Sequence, residues 1–176
     1  MYLNQLPVCE EGTNPHVFWV GLSAVEIGEG LEKVPLSSNT RSGALIESIG
    51  EPLKGEISFY KTNLVKCLPL KQGKIRYPLE HEMEKCFPNF KFELETLKPT
   101  IVFLLGRQVS LFVSKKFGFN HISLSEDFTY ESFEFNNIIF VPIHHPSYIL
   151  VYKRKLIQNY ISNMRNLCQS FCIQNI

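Results

Sequence analysis

The chain has 176 residues, 44% of them hydrophobic and 20% charged, with a formal charge of +1. That balance excludes a disordered or fibrous chain, and a domain of this length can bury about 70% of its unfolded surface without a disulfide or metal staple. No run reaches the roughly 20 apolar residues that cross a bilayer, and Met1-Tyr2-Leu3-Asn4-Gln5 lacks the layout of a signal peptide; a single cytoplasmic domain over residues 1–176 is expected.

In chain order, the first apolar run is Val17–Gly21, rich in β-formers and read as a strand. A short helix is predicted over Ser42–Ile49, capped by Ser42 and stopped by Gly50. Ile57–Val65 is the second strand. From Leu79 the apolar positions Leu79, Met83, Cys86, Phe87, Phe90, Leu94 and Leu97 fall near a 3.6-residue repeat, a helix that Pro88 should kink or divide. Thr100–Gly106 is the third strand, followed by a helix over residues 107–117 that ends at Gly118. Ile138–Ile143 is the fourth, and a last helix over residues 152–171 carries Leu156, Tyr160, Ile161, Met164, Leu167, Cys168 and Phe171 on one face.

The strands are nearly continuous Val/Ile/Phe runs rather than alternating ones, as in strands buried on both faces. Strands alternating with helices predict an α/β fold with a parallel sheet covered on both sides. Ligands then sit beyond the carboxyl ends of the strands. The loops that converge there begin at Gly21-Leu22-Ser23, Thr62-Asn63, Gly106-Arg107 and His144-His145-Pro146-Ser147.

Charge is locally uneven. Lys61, Lys66, Lys71, Lys74 and Arg76 lie in a stretch without acids, and Lys153-Arg154-Lys155 is a second basic cluster. Such stretches can grip a phosphate backbone, although on charge alone they read as solvated loops and helix ends. Five cysteines without a Cys-x-x-Cys pair indicate free thiols in a reducing compartment. No GxGxxG or GxxxxGK[ST] fingerprint supports a general nucleotide-binding domain.

Gly21-Leu22-Ser23-Ala24, Asn63 within KTNLVKCLP, LKPTIVFLLGRQ at 97–108 and HHPSYIL at 144–150 together resemble the uracil-DNA glycosylase superfamily, in order and spacing from about residue 17 to 165. The nearest branches are the microbial families four and five. The resemblance implies a three-layer αβα sandwich around a four-stranded parallel sheet. It also implies a base flipped from DNA and released by hydrolysis of its N-glycosidic bond, as in base excision repair. His145 takes the position of the donor to the leaving base, and Asn63 that of the amide reading O4 and N3–H of uracil. Leu36 and Leu22 are placed against the base. Gly21, Ser23 and Ser147 permit close approach of phosphates. Tyr148, Ile149 and Leu150 correspond to the loop that enters DNA, with Lys153, Arg154 and Lys155 on flanking phosphates; alternatively Ile149 and Leu150 dock the last helix into the core.

The chain departs from the pattern in four places. Family four has Glu after the glycine, where this chain has Leu22; the Asp of the family-five Gly-Asp-x-Ser-Gly segment is replaced by Thr40, with Ser42-Gly43 retained. Glu26 and Asn39 are the substitutes for positioning water, although Glu26, beside Glu29 and Glu32, reads first as a solvated loop acid and no motif supports Asn39. Pro35-Leu36 stands where Pro-Phe is usual. Cys67 and Cys86 match two ligands of the iron–sulfur cluster common in these families, but the upstream pair is missing. Cys9, Cys168 or Cys172 are the remaining thiols. No cofactor is expected, the alternatives being a cluster or zinc on Cys67, Cys86 and His81. The expectation is a monomeric DNA glycosylase acting on uracil or another deaminated or modified base. The alternative is a weakened member of the fold that binds DNA, a base or a protein.

Overall fold

The computed structural model describes residues 8–9, 15–24 and 34–172. Its elements in chain order are β1 (Val8–Cys9), β2 (Val17–Ser23), α1 (Arg41–Gly50), β3 (Phe59–Val65), β4 (Leu70–Lys71), β5 (Lys74–Ile75), α2 (Glu80–Leu97), β6 (Ile101–Leu105), α3 (Arg107–Lys116), β7 (Phe133–Phe135), β8 (Ile138–Ile143), α4 (Pro146–Tyr152) and α5 (Ile157–Cys172). The main sheet has the order β1-β3-β2-β6-β8-β7. Its four central strands are parallel, with Val17 of β2 opposite both Phe59 and Ile101, and Ile101 opposite Ile139. The edges β1 and β7 are antiparallel additions. The predicted α/β sandwich and its four strands are therefore present. The two edge strands and the β4–β5 hairpin are additional, being too short for a periodic signal to register.

Alternation along each strand divides the core into two layers. Val17, Trp19, Phe59, Ile101, Phe103, Leu105, Val141 and Ile143 face one side, where Leu45, Ile46 and Ile49 of α1, Ile149 of α4 and Tyr160, Met164 and Cys168 of α5 close over them. Phe18, Val20, Tyr60, Leu64, Val102, Leu104 and Phe140 face the other, covered by Phe90 and Leu94 of α2 and Val109, Phe112 and Val113 of α3. Burial on both faces explains why the strands read as continuous apolar runs.

Three helical expectations change. α1 is capped by Thr40, not Ser42: the Thr40 hydroxyl accepts from the Gly43 amide at 3.0 Å. α2 runs unbroken from Glu80 to Leu97 through Pro88. Pro88 is exposed, so the carbonyl left without its donor can be hydrated. The final helix is two: α4 occupies most of the segment read as a loop, a 3-10 turn at Arg154–Leu156 follows, and α5 begins at Ile157. Pro146 at its first turn supplies a preset φ without a wasted donor, and this makes the His-Pro-Ser segment a helix start.

Candidate active site at the carboxyl edge of the sheet

From β2 the chain steps to β3 on one side, then crosses β2 to reach β6 on the other. α1, which follows β2, and α3, which follows β6, lie on opposite faces. The loops leaving β2 and β6 therefore diverge and open a crevice, the usual ligand position in open α/β sheets. Glycines stand on both of its banks.

Gly21 pairs in register with Asn63. A Cβ on Gly21 would lie 2.3 Å from Asn63 Oδ1 and 3.3 Å from Leu36 Cδ2, so the missing side chain is the space in which the amide sits. Asn63 is 4% exposed and shares the α1 face of the sheet with Gly21. Leu36 reaches this spot because the loop before α1 is pressed onto the helix. A Cβ on Gly43 would stand 1.9 Å from the Ser37 carbonyl oxygen, and Leu36 itself adopts φ of 51°. Thr40 takes part in the same turn, donating to the Ser37 carbonyl at 2.8 Å while it caps α1. The retained Gly43 and the Thr40 in the acid's place thus both serve loop packing.

On the other bank, Gly106 has φ of 87°, and a Cβ there would meet His145 Cβ at 3.1 Å. His145 is the N-cap of α4. Its Nδ1 accepts from the Ser147 amide at 3.1 Å and lies 2.8 Å from Ser147 Oγ. A nitrogen that accepts a backbone N–H carries no proton of its own, so this geometry assigns the neutral ring's hydrogen to Nε2. Burial pushes the imidazole below its ordinary range and so favours that neutral form. The result is an uncharged N–H donor at the crevice, held by the first turn of a helix.

His144 is structural. It is 8% exposed, stacks on Tyr148 with centroids 5.0 Å apart, meets Phe128 edge-on, and places Nδ1 2.9 Å from Tyr130 Oη. The Tyr160 hydroxyl donates to its carbonyl at 3.1 Å. This aromatic box fixes the strand-to-helix corner on which His145 sits.

Other candidates fall elsewhere. Leu22 packs into the α2/α3 layer, on the face away from Asn63, and is not brought to the amide. Ser23 ends β2 opposite Val65, half-buried. Asn39 is exposed, and its own amide donates to Ser37 Oγ at 3.3 Å. Glu26 lies outside the described residues. The apolar wedge is displaced: Ile149 is fully buried, and Leu150 and Tyr148 pack against the core, so the exposed apolar residues of α4 are Val151 and Tyr152 at 52% and 73%. Lys153 is ion-paired with Glu126, while Arg154 is exposed, its Nε donating to the Leu150 carbonyl at 2.8 Å. Ser147 is exposed. Sequence reasoning noted Gly43 only as part of the retained Ser42-Gly43 and did not see its packing on Ser37 or the role of Gly106 against His145, because a close approach of two segments leaves no mark beyond the glycine itself.

The thiols do not fit a four-thiolate cluster. Cys67 follows β3 and Cys86 lies on α2; burial, followed by the charge of Cys86, pushes the Cys67 thiol up. Cys168 and Cys172 are buried under α5 on the opposite face of the sheet. Removing those two from the chain's five leaves three, including Cys9, whose side chain lies outside the description. His81 is exposed on the first turn of α2, and no group of three His, Cys, Asp or Glu among the described residues is arranged to hold a metal ion. No helix among them is long and apolar enough to cross a membrane.

A family model described as the uracil DNA glycosylase superfamily matches residues 11–168. The chain is similar to a type-4 uracil-DNA glycosylase of Archaeoglobus fulgidus, 30% identical over 111 residues that cover 61% of this chain and 54% of that protein. It thus spans about half the length of that curated relative.

Proposed function

The chain belongs to the uracil DNA glycosylase superfamily, and from that premise we propose that it hydrolyses the N-glycosidic bond of uracil, or of another deaminated or modified base, in DNA. The observation that carries this reading is the pairing of two preset groups on one crevice: a buried amide at Asn63 and a neutral imidazole at His145 with its proton on Nε2. A flipped uracil offers an acceptor at O4 and a donor at N3, which one amide satisfies with its NH2 and its oxygen; cytosine presents the reverse pattern.

As the bond between C1′ and the base nitrogen breaks, the electron pair leaves with the base and charge collects on its carbonyl oxygen. A donor aimed there lowers the barrier, and the Nε2–H of the neutral ring supplies one. Water then adds hydroxide to C1′ and its proton goes to the base, leaving an abasic site. The step uses no lysine Schiff base and is routed through no metal or cofactor. Leu36 packs against the base without the stacking that an aromatic would add. Ser147, Arg154, Val151 and Tyr152 face the strand that carries the flipped nucleotide.

The test is alkali cleavage of oligonucleotides carrying one uracil, single-stranded or opposite G or A. Uracil-dependent cleavage by the wild type should fall at least 100-fold in His145→Ala and in Asn63→Ala. A second reading, a DNA- or base-binding member of the fold with weakened chemistry, is favoured by one observation: Thr40, in the acid's place, is occupied in capping α1. Retained binding to abasic DNA with no cleavage of any substrate selects that reading.

A further inference from the structure

The basic stretch between residues 61 and 76 separates into two functions once its partners are known. Lys61 bonds Glu47 at 2.5 Å, Lys66 bonds Glu93 at 2.6 Å, and Arg76 grips Glu82 with two bonds of 2.6 and 2.7 Å. These three hold the fold together. Lys71 and Lys74 do the opposite. They are direct cross-strand partners in the β4–β5 hairpin, both exposed, and neither makes an ion pair among the described residues. Two like charges facing each other across a two-stranded ribbon disfavour it, and an anion bound between them removes that cost. Beside them Ile75 is 46% and Tyr77 is 73% exposed.

The hairpin is built to hold its shape. Gln72 and Gly73 both have positive φ, 51° and 76°, which matches the twist of a two-residue turn. Its base is tied where the Arg76 amide donates to the Pro69 carbonyl at 3.1 Å and the Arg76 guanidinium grips Glu82. Glu82 also accepts from the Leu79 amide, and Arg76 holds its carboxyl down to about 2. The hairpin leaves β3 beyond Val65 and returns at the start of α2, so it stands at the carboxyl edge of the sheet on the α2 face. α4 stands at the same edge on the other face. The crevice lies between them.

We propose that the β4–β5 hairpin is a second DNA-gripping arm: Lys71 and Lys74 clamp the phosphate backbone on the α2 side of the crevice while the exposed ring of Tyr77 stacks on an adjacent nucleobase. This rests on the DNA reading above and adds where the strand leaves the site. Charge and aromatic area together are what single-strand-tolerant binding needs: the lysines track the backbone, and the ring accepts any base.

The experiment is titration of fluorescein-labelled oligonucleotides carrying a tetrahydrofuran abasic analogue, single-stranded and duplex, between 50 and 200 mM salt. Wild type is compared with Lys71→Ala/Lys74→Ala, Tyr77→Ala and a charge-matched control, Lys91→Ala/Lys98→Ala. The control lysines border a cleft of about 420 Å³ near the starts of β6 and β8, at the opposite edge of the sheet. The hairpin double variant should lose about 1.4 from the slope of log K against log salt on single strands and about 1.8 on duplex. The control should keep the wild-type slope. Tyr77→Ala should weaken binding about tenfold with the slope unchanged. Equal slopes for the hairpin and control variants overturn the phosphate clamp, and unchanged affinity in Tyr77→Ala overturns the stacking. A wild type without salt-dependent DNA binding overturns the DNA reading itself, a different result from either. Circular dichroism of each variant confirms that these exposed substitutions leave the fold intact.

Discussion

At residue scale the proposed chemistry depends on which nitrogen of one histidine, His145, holds a proton. The Ser147 amide donates to His145 Nδ1, and burial disfavours the charged ring. Both effects act in the same direction, toward a neutral ring with hydrogen on Nε2. The sign for pH dependence follows. The folded pKa lies below the ordinary 6.5, so the neutral form persists as pH falls through 6.5 and is lost only below it. Cleavage rate should stay level from pH 8 to about 6.5 and decline in more acidic buffer, the range in which an unperturbed imidazole would already have charged. Single-turnover rates across that range check it; an acid limb centred above 6.5 contradicts the assignment. Ser147→Ala should shift this limb little, because the backbone amide still donates. Asn63 and His145 were legible in the sequence as residue types within motifs. Their surroundings were not, since Gly21 and Gly106 matter through atoms they lack.

The elements show where local signals win and where packing overrides them. Continuous apolar runs at four positions identified the central strands because burial on both faces leaves no polar residue to interrupt them. Pro88 does not divide α2, since a helix breaker on an exposed position costs one hydrogen bond that water replaces. α4 misleads in the other direction: Pro and Ser read as a turn, yet Pro at the first position of a helix capped by His145 begins one. That difference decides between the two readings of Ile149, which is a fully buried anchor and not a surface wedge. Helix α2 is joined to β3 by a buried polar cluster that sequence reading did not see. Glu93 accepts from Lys66, from the Tyr60 hydroxyl at 3.1 Å and from Thr62 at 3.2 Å. Burial pushes Lys66 down, opposed by Glu93, so the pair survives on its hydrogen bonds. Glu93→Ala leaves a cation and two hydroxyls without their acceptor and should cost about 3 kcal/mol. Urea unfolding measures this, and a second substitution, Lys66→Met, should recover part of the loss.

For the whole molecule, the sheet decides which groups can meet. Cys86 and Cys168 both lie on helices, but α2 and α5 cover opposite faces, so no shared cluster forms across the strands. Protein purified from iron-supplemented cells should show no broad visible absorption near 400 nm and contain less than about 0.1 iron per chain. Bound iron near four per chain contradicts this reading. The same architecture brings Asn63 and His145, 82 positions apart, to two banks of one crevice, and places the hairpin and α4 on its two flanks.

Local regularity was enough for the α/β class and the four parallel strands, because burial periodicity is written in consecutive residues, and the motifs around Asn63 and His145 carried the family resemblance. Ion-pair partners, helix faces and close approaches arise between segments far apart in the chain, and only the tertiary structure settles them. It separates the three basic residues that staple the fold from the two that stay available. It turns Leu22 away from Asn63 and assigns Thr40 to a helix cap. Each is a matter of which atoms share space, and nothing in the order of residues states that directly.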